Sequence, residues 1–284
     1  MLSIGDLVLD ITIVPERRLQ PDDDTPAAIT IGGGGQSANF CAWAASLGDQ
    51  ARLITRIGDD DAGRRAVEEL EALRVQVFAV IGSEPTGAIA ILVGPDGERT
   101  MATQRGASLG LRPQDLRPEW MEGINLIHVP AYSLFHEPLA AAARAAVDMA
   151  RSRGGALAVD LSSVAGLLEY GPARMAAELE SLKPDLLFAT AAEADTLGGI
   201  DGLAGVAVVK LGPAGCQVGG HRIAAPVVKV VDATGAGDAL AAAFCCSFLR
   251  GASPVAAAEA AVAVAAEAVS RAGARPPSGQ RANG

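Results

Sequence analysis

The sequence predicts an α/β protein, a mostly parallel sheet wound from both halves of the chain with a small β-lid attached. Short β-branched runs alternate with longer helical patterns, the rhythm of repeated βαβ units. The rhythm breaks at residues 10–31 and 86–104; in the second, TGAIAILV and RTMATQ flank the turn signal Pro95-Asp96-Gly97. Both segments read as an antiparallel insert projecting from the C-terminal strand edges, where such sheets bind ligands. With 284 residues, 50% hydrophobic and 20% charged, the chain can fill one large core or two modest ones. It shows no linker, repeat or low-complexity block before the polar tail PPSGQRANG, so residues 1–284 read as a single domain.

The first strand is expected in LVLDITIV, ending near residue 14, and the helix SANFCAWAASLG comes next, with Phe40, Trp43 and Leu47 on its core face and Gly48 as C-cap. Strand ARLITRIG, helix AGRRAVEELEALR and strand QVFAVI complete the first half. After residue 120 the pattern resumes with strand INLIHVP, a helix around EPLAAAARAAVDMARSR, strand ALAVDL, a helix near ARMAAELESL, strand DLLFAT, the short helix AAEADTLGG, strand GVAVVKLG and two long helices. The N-terminal stretch is apolar but carries Asp6 and Asp10 and has no basic region before it, so it reads as a strand and not a signal peptide. Val255 to Val269 is interrupted by Glu259 and Glu267 and is too short to span a bilayer.

Charge narrows the partners. The formal net charge is −10 and the basic residues are scattered, so there is no basic stripe to neutralise a nucleic-acid backbone. Cys41, Cys216, Cys245 and Cys246 form no C-x-x-C and no cluster with histidine, which fits reduced, buried thiols and a cytoplasmic location. His128, His136 and His221 have no metal-ligand spacing and read as structural or exposed.

Two motifs carry chemistry. In VDATGAGDALAAAF, residues 231–244, a strand runs through Thr234, Gly235, Ala236 and Gly237 into a helix with apolar spacing at Leu240, Phe244 and Phe248. A helix N-terminus offers free N–H groups and partial positive charge, and the small residues leave an anion room to reach them. Asp238 then falls in the first turn, facing the same space, where a carboxylate can take a hydroxyl proton; equally, a carboxylate there can simply stabilise the helix dipole. In IGGGGQSANFCAWAASLG, residues 31–48, Gly32 to Gly35 permit close backbone approach to a ligand, and Asn39, one turn into the helix, is expected to point toward the glycine loop. A flexible turn is the plainer reading of the glycines. A dinucleotide fingerprint is a poor match, because the strand before the glycines and the acidic residue after the second strand are misplaced, and no G-K-[ST] occurs anywhere.

Together these segments resemble the ribokinase-like, or PfkB, carbohydrate kinase family. The resemblance runs through GDLVLD, GGGGQSAN, IGDDDAG, TGAIAILVGPDGERTMATQRGA, AVDLSS, KLGPAG, VDATGAGD and AVSRAGARP, almost the whole chain. It implies a ribokinase-like three-layer α/β sandwich with a β-lid, an ATP site near the C-terminal half, and transfer of phosphate to a hydroxyl, by preference a primary alcohol, of a small sugar or nucleoside. Asp238 resembles the family's catalytic base, and Gly235, Ala236 and Gly237 its anion hole. Asp10, Gly35 and Asn39 match substrate-contacting positions; Lys210, Gly212, Gly215 and Thr234 match the nucleotide side. Glu193 matches the final Glu of a motif associated with magnesium and phosphate. The resemblance also implies Mg2+, a monovalent cation (K+) near Asp232 and Ala268 to Ala274, and it leaves Asp238 to activate the acceptor. The apolar alternation at Ile11 and Ile13 and at Ile89, Ile91 and Val93 predicts a homodimer through the lids.

Departures from the family pattern bear on substrate and rate. Thr190 stands where the family usually has Asn, which shortens the reach toward a metal-bound water. After INLIHV the chain reads PAYSLF, so ribose is not implied, and Tyr132 supplies another kind of contact or merely packs. Arg105 is free to meet a charged substrate group or to sit in solvent. Thr190, with the chain stopping soon after ARPPSG, keeps open a second reading: a catalytically weakened sugar-binding or regulatory protein of the same fold.

Overall fold

The computed structural model describes residues 1–94 and 99–277, and the turn signal at 95–97 lies outside them. Among the described residues the strands in chain order are β1 (Leu2–Ile4), β2 (Val8–Pro15), β3 (Ala27–Gly34), β4 (Arg52–Gly58), β5 (Gln76–Gly82), β6 (Thr86–Val93), β7 (Arg99–Gly106), β8 (Leu126–Pro130), β9 (Ala156–Asp160), β10 (Leu186–Thr190), β11 (Val206–Lys210), β12 (Cys216–Val218) and β13 (His221–Ile223). The helices are α1 (Gln36–Ser46), α2 (Asp61–Ala72), α3 (Tyr132–Phe135), α4 (Leu139–Arg151), α5 (Val164–Tyr170), α6 (Pro172–Leu182), α7 (Ala191–Thr196), α8 (Ala236–Leu249) and α9 (Pro254–Val269).

Nine strands form one sheet in the order β13-β12-β11-β10-β9-β8-β1-β4-β5. From β11 to β5 every pair is parallel; only β12 and β13 run antiparallel at one edge. The buried strands are mainly apolar on both faces, as a sheet covered on two sides requires. Leu126, Leu186 and Phe188 pack with α1, α8 and α9 residues such as Phe40 and Phe244. Their chain neighbours Ile127, Leu187 and Ala189 pack on the other face with Leu139, Val147 and Met175. The three layers therefore follow from strand alternation. The chain winds outward from β1 in both directions, which opens a crevice at the C-terminal ends of β1 and β8.

Several expectations are corrected. LVLDITIV is not one strand of the main sheet. Its central strand is β1, and β2 belongs to a second, four-stranded sheet of order β3-β2-β6-β7, so Asp10 lies in that smaller sheet rather than at the end of the first strand. Between the two, Asp6 leaves the sheet to accept the Ser37 N–H at 3.2 Å, capping the first turn of α1. The second sheet, built from the two segments expected to form the lid, is mixed and not antiparallel, because β2 and β6 run parallel. Register places Ile11 and Ile13 on one face and Ile89 and Ile91 on the other, so these alternating residues do not form a single apolar surface. Gly32 to Gly34 are not a loop but the last residues of β3. Helices α3 and α5 and the hairpin β12–β13 are additions to the elements expected, and the strand expected to run into Thr234 does not form: among the described residues no strand lies between β13 and α8.

Candidate active site

Helix α8 starts at Ala236, with Gly235 as N-cap in the left-handed region at φ 75° and ψ 0°. A β-carbon at Gly235 would meet the Ala274 carbonyl oxygen, so both the turn and the C-terminal segment require glycine there. No side chain caps the helix; the Ala236 N–H donates to the Ala233 carbonyl at 3.4 Å, and the other first-turn N–H groups are left without a side-chain acceptor. Gly237 leaves the adjoining space open; a β-carbon there would lie 3.5 Å from Lys210 Nζ.

Asp238 stands in that first turn, partly buried, and accepts from Asn39 Nδ2 at 3.0 Å. Asn39 therefore points at Asp238 and not into the glycine segment. Burial pushes the Asp238 carboxyl up to about 8, opposed by the Asn39 hydrogen bond and Lys210 and reinforced by Asp160 and Asp6. Lys210, at the end of β11, donates to both oxygens of fully buried Asp160 at 2.9 and 2.7 Å. Burial disfavours the Lys210 ammonium, yet Asp160 and Glu193 beside it hold its pKa above the ordinary value. Asp160 belongs to neither sequence motif, although a carboxylate ending an interior parallel strand is itself a site signal.

Glu193 is buried at 5% exposure and is not solvated. It forms a capping box on α7: Thr190 N–H donates to Glu193 Oε2 at 2.7 Å, and Glu193 N–H donates to Thr190 Oγ1 at 3.3 Å. Burial raises its pKa, with Lys210 opposing. Thr190 thus serves the helix end, which leaves one carboxylate oxygen of Glu193 for another partner.

On the opposite side of Asp238 lies a second set of charges. Asp10 is pushed up to about 6 by burial, against the pull of Arg275, and its Oδ1 is buried without a hydrogen-bond partner among the described residues. Arg105 is not in solvent: Nη1 donates to Asp6 Oδ2 at 2.8 Å, and the guanidinium lies 3.5 Å from the centre of the Tyr132 ring. The glycines of β3 make room for these side chains. A β-carbon at Gly33 would meet the Arg275 guanidinium, and one at Gly34 would meet the Asp10 carboxylate. Gly35, the N-cap of α1, passes against the Asp6 carbonyl, where a β-carbon would lie 2.5 Å from the oxygen.

Thr234, between the cavity-lining Ala233 and Ala236, has its hydroxyl engaged within the loop. Its hydroxyl donates to Asp232 Oδ1 at 2.5 Å, and Arg99 of β7 contacts both Thr234 Oγ1 and Asp232 Oδ1, the latter at 3.2 Å. His128 is buried, stacked on Phe40 and bonded to the Ser3 hydroxyl, so its role is packing. All four cysteines are buried and free.

Comparison with known proteins identifies the family and the fold. Residues 1–281 match the pfkB family carbohydrate kinase. The chain is 30% identical to an ATP-dependent ribose-1-phosphate kinase of Halopiger xanaduensis over 258 residues, 88% of this chain and 84% of that protein. The fold is similar to the adenosine kinase of Sinorhizobium meliloti, with TM-score 0.84 and 26% identity over 97% of this chain and 95% of that one. It is also similar to an E. coli putative ribokinase II in complex with ATP and Mg2+, with TM-score 0.84 and 24% identity over 96% and 93%. The chain belongs to the pfkB family of carbohydrate kinases and is a phosphotransferase of that family.

Proposed function

We propose that this kinase transfers the γ-phosphoryl group of ATP to a hydroxyl, a primary alcohol, of a small sugar or nucleoside, with Asp238 as general base and Gly235 to Gly237 as the anion hole. The observation that carries the reading is the Asp238 carboxylate, set in the first turn of α8, which no side chain caps, and held by Asn39. A base whose proton affinity lies near neutral pH can take the hydroxyl proton as the oxygen attacks, while the helix N–H groups stabilise charge on the transferring group. Asp10, with an unpaired buried oxygen, and Asn39 and Gly35 form the acceptor end.

The residues present fit a nucleotide. An apolar cavity of about 440 Å³ lies between Lys210, Gly212 and Gly215 and the α9 residues Val262 and Val269, and it ends at Gly237. A base in the apolar part would bring its phosphates to the start of α8. Magnesium fits as an ion carried mainly by phosphate and water, since the described residues contain no cage of three or more His, Cys, Asp or Glu, and Glu193 offers one carboxylate oxygen. When bound, it would neutralise charge on the phosphates. A monovalent cation at Asp232 does not fit: that carboxylate already accepts from Thr234, Gly273 and the Arg99 guanidinium.

ADP release over a panel of sugars, sugar acids, sugar phosphates and nucleosides, with ATP and magnesium, tests the reading. One class should stimulate release, and Asp238→Asn should slow it by about 10²–10⁴-fold with ligand affinities within a few-fold. An Asp238→Asn variant keeping more than about a tenth of wild-type turnover would end the general-base role. The buried, reduced cysteines suit a cytoplasmic compartment. For assembly, we infer a homodimer that pairs the smaller sheets and leaves them as lids over the acceptor.

A further inference from the structure

We propose that Arg275 is a positioning residue for the reaction, fixing the amide of Asn39 and through it the carboxylate of Asp238. This rests on the reading of Asp238 as the base. Arg275 enters from the segment after α9, and its side chain is 9% exposed. Its Nε–H donates to Asn39 Oδ1 at 3.1 Å and its Nη2 to the Gly34 carbonyl at 2.9 Å, while Nη1 lies 3.8 Å from Glu69 Oε2. Asn39 Nδ2 then donates to Asp238 Oδ2.

An asparagine amide has nearly the same shape when flipped, so partner chemistry decides which way it faces. A guanidinium only donates and an ionised carboxylate only accepts. With Arg275 in place, Oδ1 must face the guanidinium and the NH2 must face Asp238. The resulting bond occupies Oδ2 of the base and leaves Oδ1 to receive the acceptor's proton. A flipped amide would set oxygen against carboxylate oxygen.

A merely structural tie does not require this charge. The C-terminal segment is already fastened by the Trp43 Nε1–H bond to the Ala274 carbonyl, 2.9 Å, and by the Gly273 N–H bond to Asp232, 3.0 Å. Burial depresses Arg275 to about 10, so the guanidinium is held there against its own desolvation. Gly33 is also spent on it, since any side chain there would collide with the guanidinium.

The test reads kcat and kcat/KM against pH, with nucleotide affinity by calorimetry, for Arg275→Gln, Arg275→Lys, Asn39→Ala, the Asn39→Ala/Arg275→Gln double variant and Asp238→Asn. The other charges facing Asp238 are unchanged in the Arg275 variants: Lys210 from β11, Asp160 from β9 and Asp6 beyond β1. Losing the oriented bond to the base should lower kcat by about ten- to a hundred-fold and move the acidic limb alkaline by about one unit, with nucleotide affinity within a few-fold. Arg275→Lys, which can still donate to Asn39, should recover part of both, and it carries the test if Arg275→Gln does not fold. The double variant should be no slower than Asn39→Ala alone. A wild-type acidic limb and kcat in the Arg275 variants, or additive losses in the double, would overturn the proposal while leaving the base intact. Wild-type turnover in Asp238→Asn would remove the base reading itself, and this inference with it.

Discussion

Asp238 is a carboxyl held at about 8 by burial, and this has consequences for both rate and stability. A base must be ionised, so kcat/KM should climb about tenfold per unit up to about pH 8 and level off above it; a flat profile between pH 6 and 9 would contradict this. In the unfolded chain the same group titrates near its ordinary 3.8. Between those values the folded state holds one more proton than the unfolded state, so the site costs stability as pH rises across that window. Asp238→Asn has no proton to bind and should melt several degrees above wild type at pH 8, with the gap closing toward pH 4; scanning calorimetry showing equal gaps at both pH values would refute the buried-charge account. At the acceptor end, Asp10→Ala should weaken acceptor binding by about ten- to a hundred-fold with nucleotide affinity nearly intact, checked by titration calorimetry. Since Asp10 ionises near 6, wild-type acceptor affinity should also fall below that pH. Asp238, Gly235, Asn39 and Asp10 were legible because short motifs carry them. Asp160, Arg99 and Arg275 were not, because each acts through a partner 50, 133 or 236 positions away, and only folding brings those pairs together.

The same limit appears for whole elements. The alternation of strands and helices in the main sheet could be read directly, because strands covered on both faces and amphipathic helices leave different periodicities. The handover from β1 to β2 could not: residues 7–14 have uniform strand character, and nothing local marks that the chain has changed sheets. That handover is why β7 can bring Arg99 onto the loop before α8, joining the smaller sheet to Asp232 and Thr234. The guanidinium supplies the positive charge at this carboxylate, so turnover should be the same within about twofold in sodium, potassium or choline salts. Several-fold stimulation by potassium would show that Arg99 is displaced in solution. Arg99→Met should loosen the smaller sheet from the loop and raise acceptor KM more than nucleotide KM. A change confined to the nucleotide would instead mean that Arg99 serves only the α8 end.

At the scale of the whole molecule, the smaller sheet has a face that the described residues cover only in part, at its Gly33 end. Register puts Ile11, Ile13, Ile29, Ile31 and Leu92 on the side opposite Asp10, and Ile29 and Ile31 are 60% and 57% exposed. The other face carries Asp10 together with Ile89 and Ile91, and Ile91 is buried. In the proposed reading the Asp10 side of the sheet serves the acceptor, and the isoleucine side can take a partner. A second copy of the same sheet is self-complementary to it, since twofold pairing sets one isoleucine patch on its equivalent. Burying a large aliphatic side chain contributes about 1.5–3 kcal/mol, so two patches of isoleucines can outweigh the cost of association at micromolar concentration. Sedimentation should therefore show a dimer, and Ile29→Glu with Ile31→Glu should give a folded monomer, because each carboxylate would be buried without a counter-charge. A wild-type monomer at micromolar concentration would remove the dimer. A double variant that still dimerises would place the interface elsewhere, and the isoleucine face would then have to be covered by movement of the sheet within one chain.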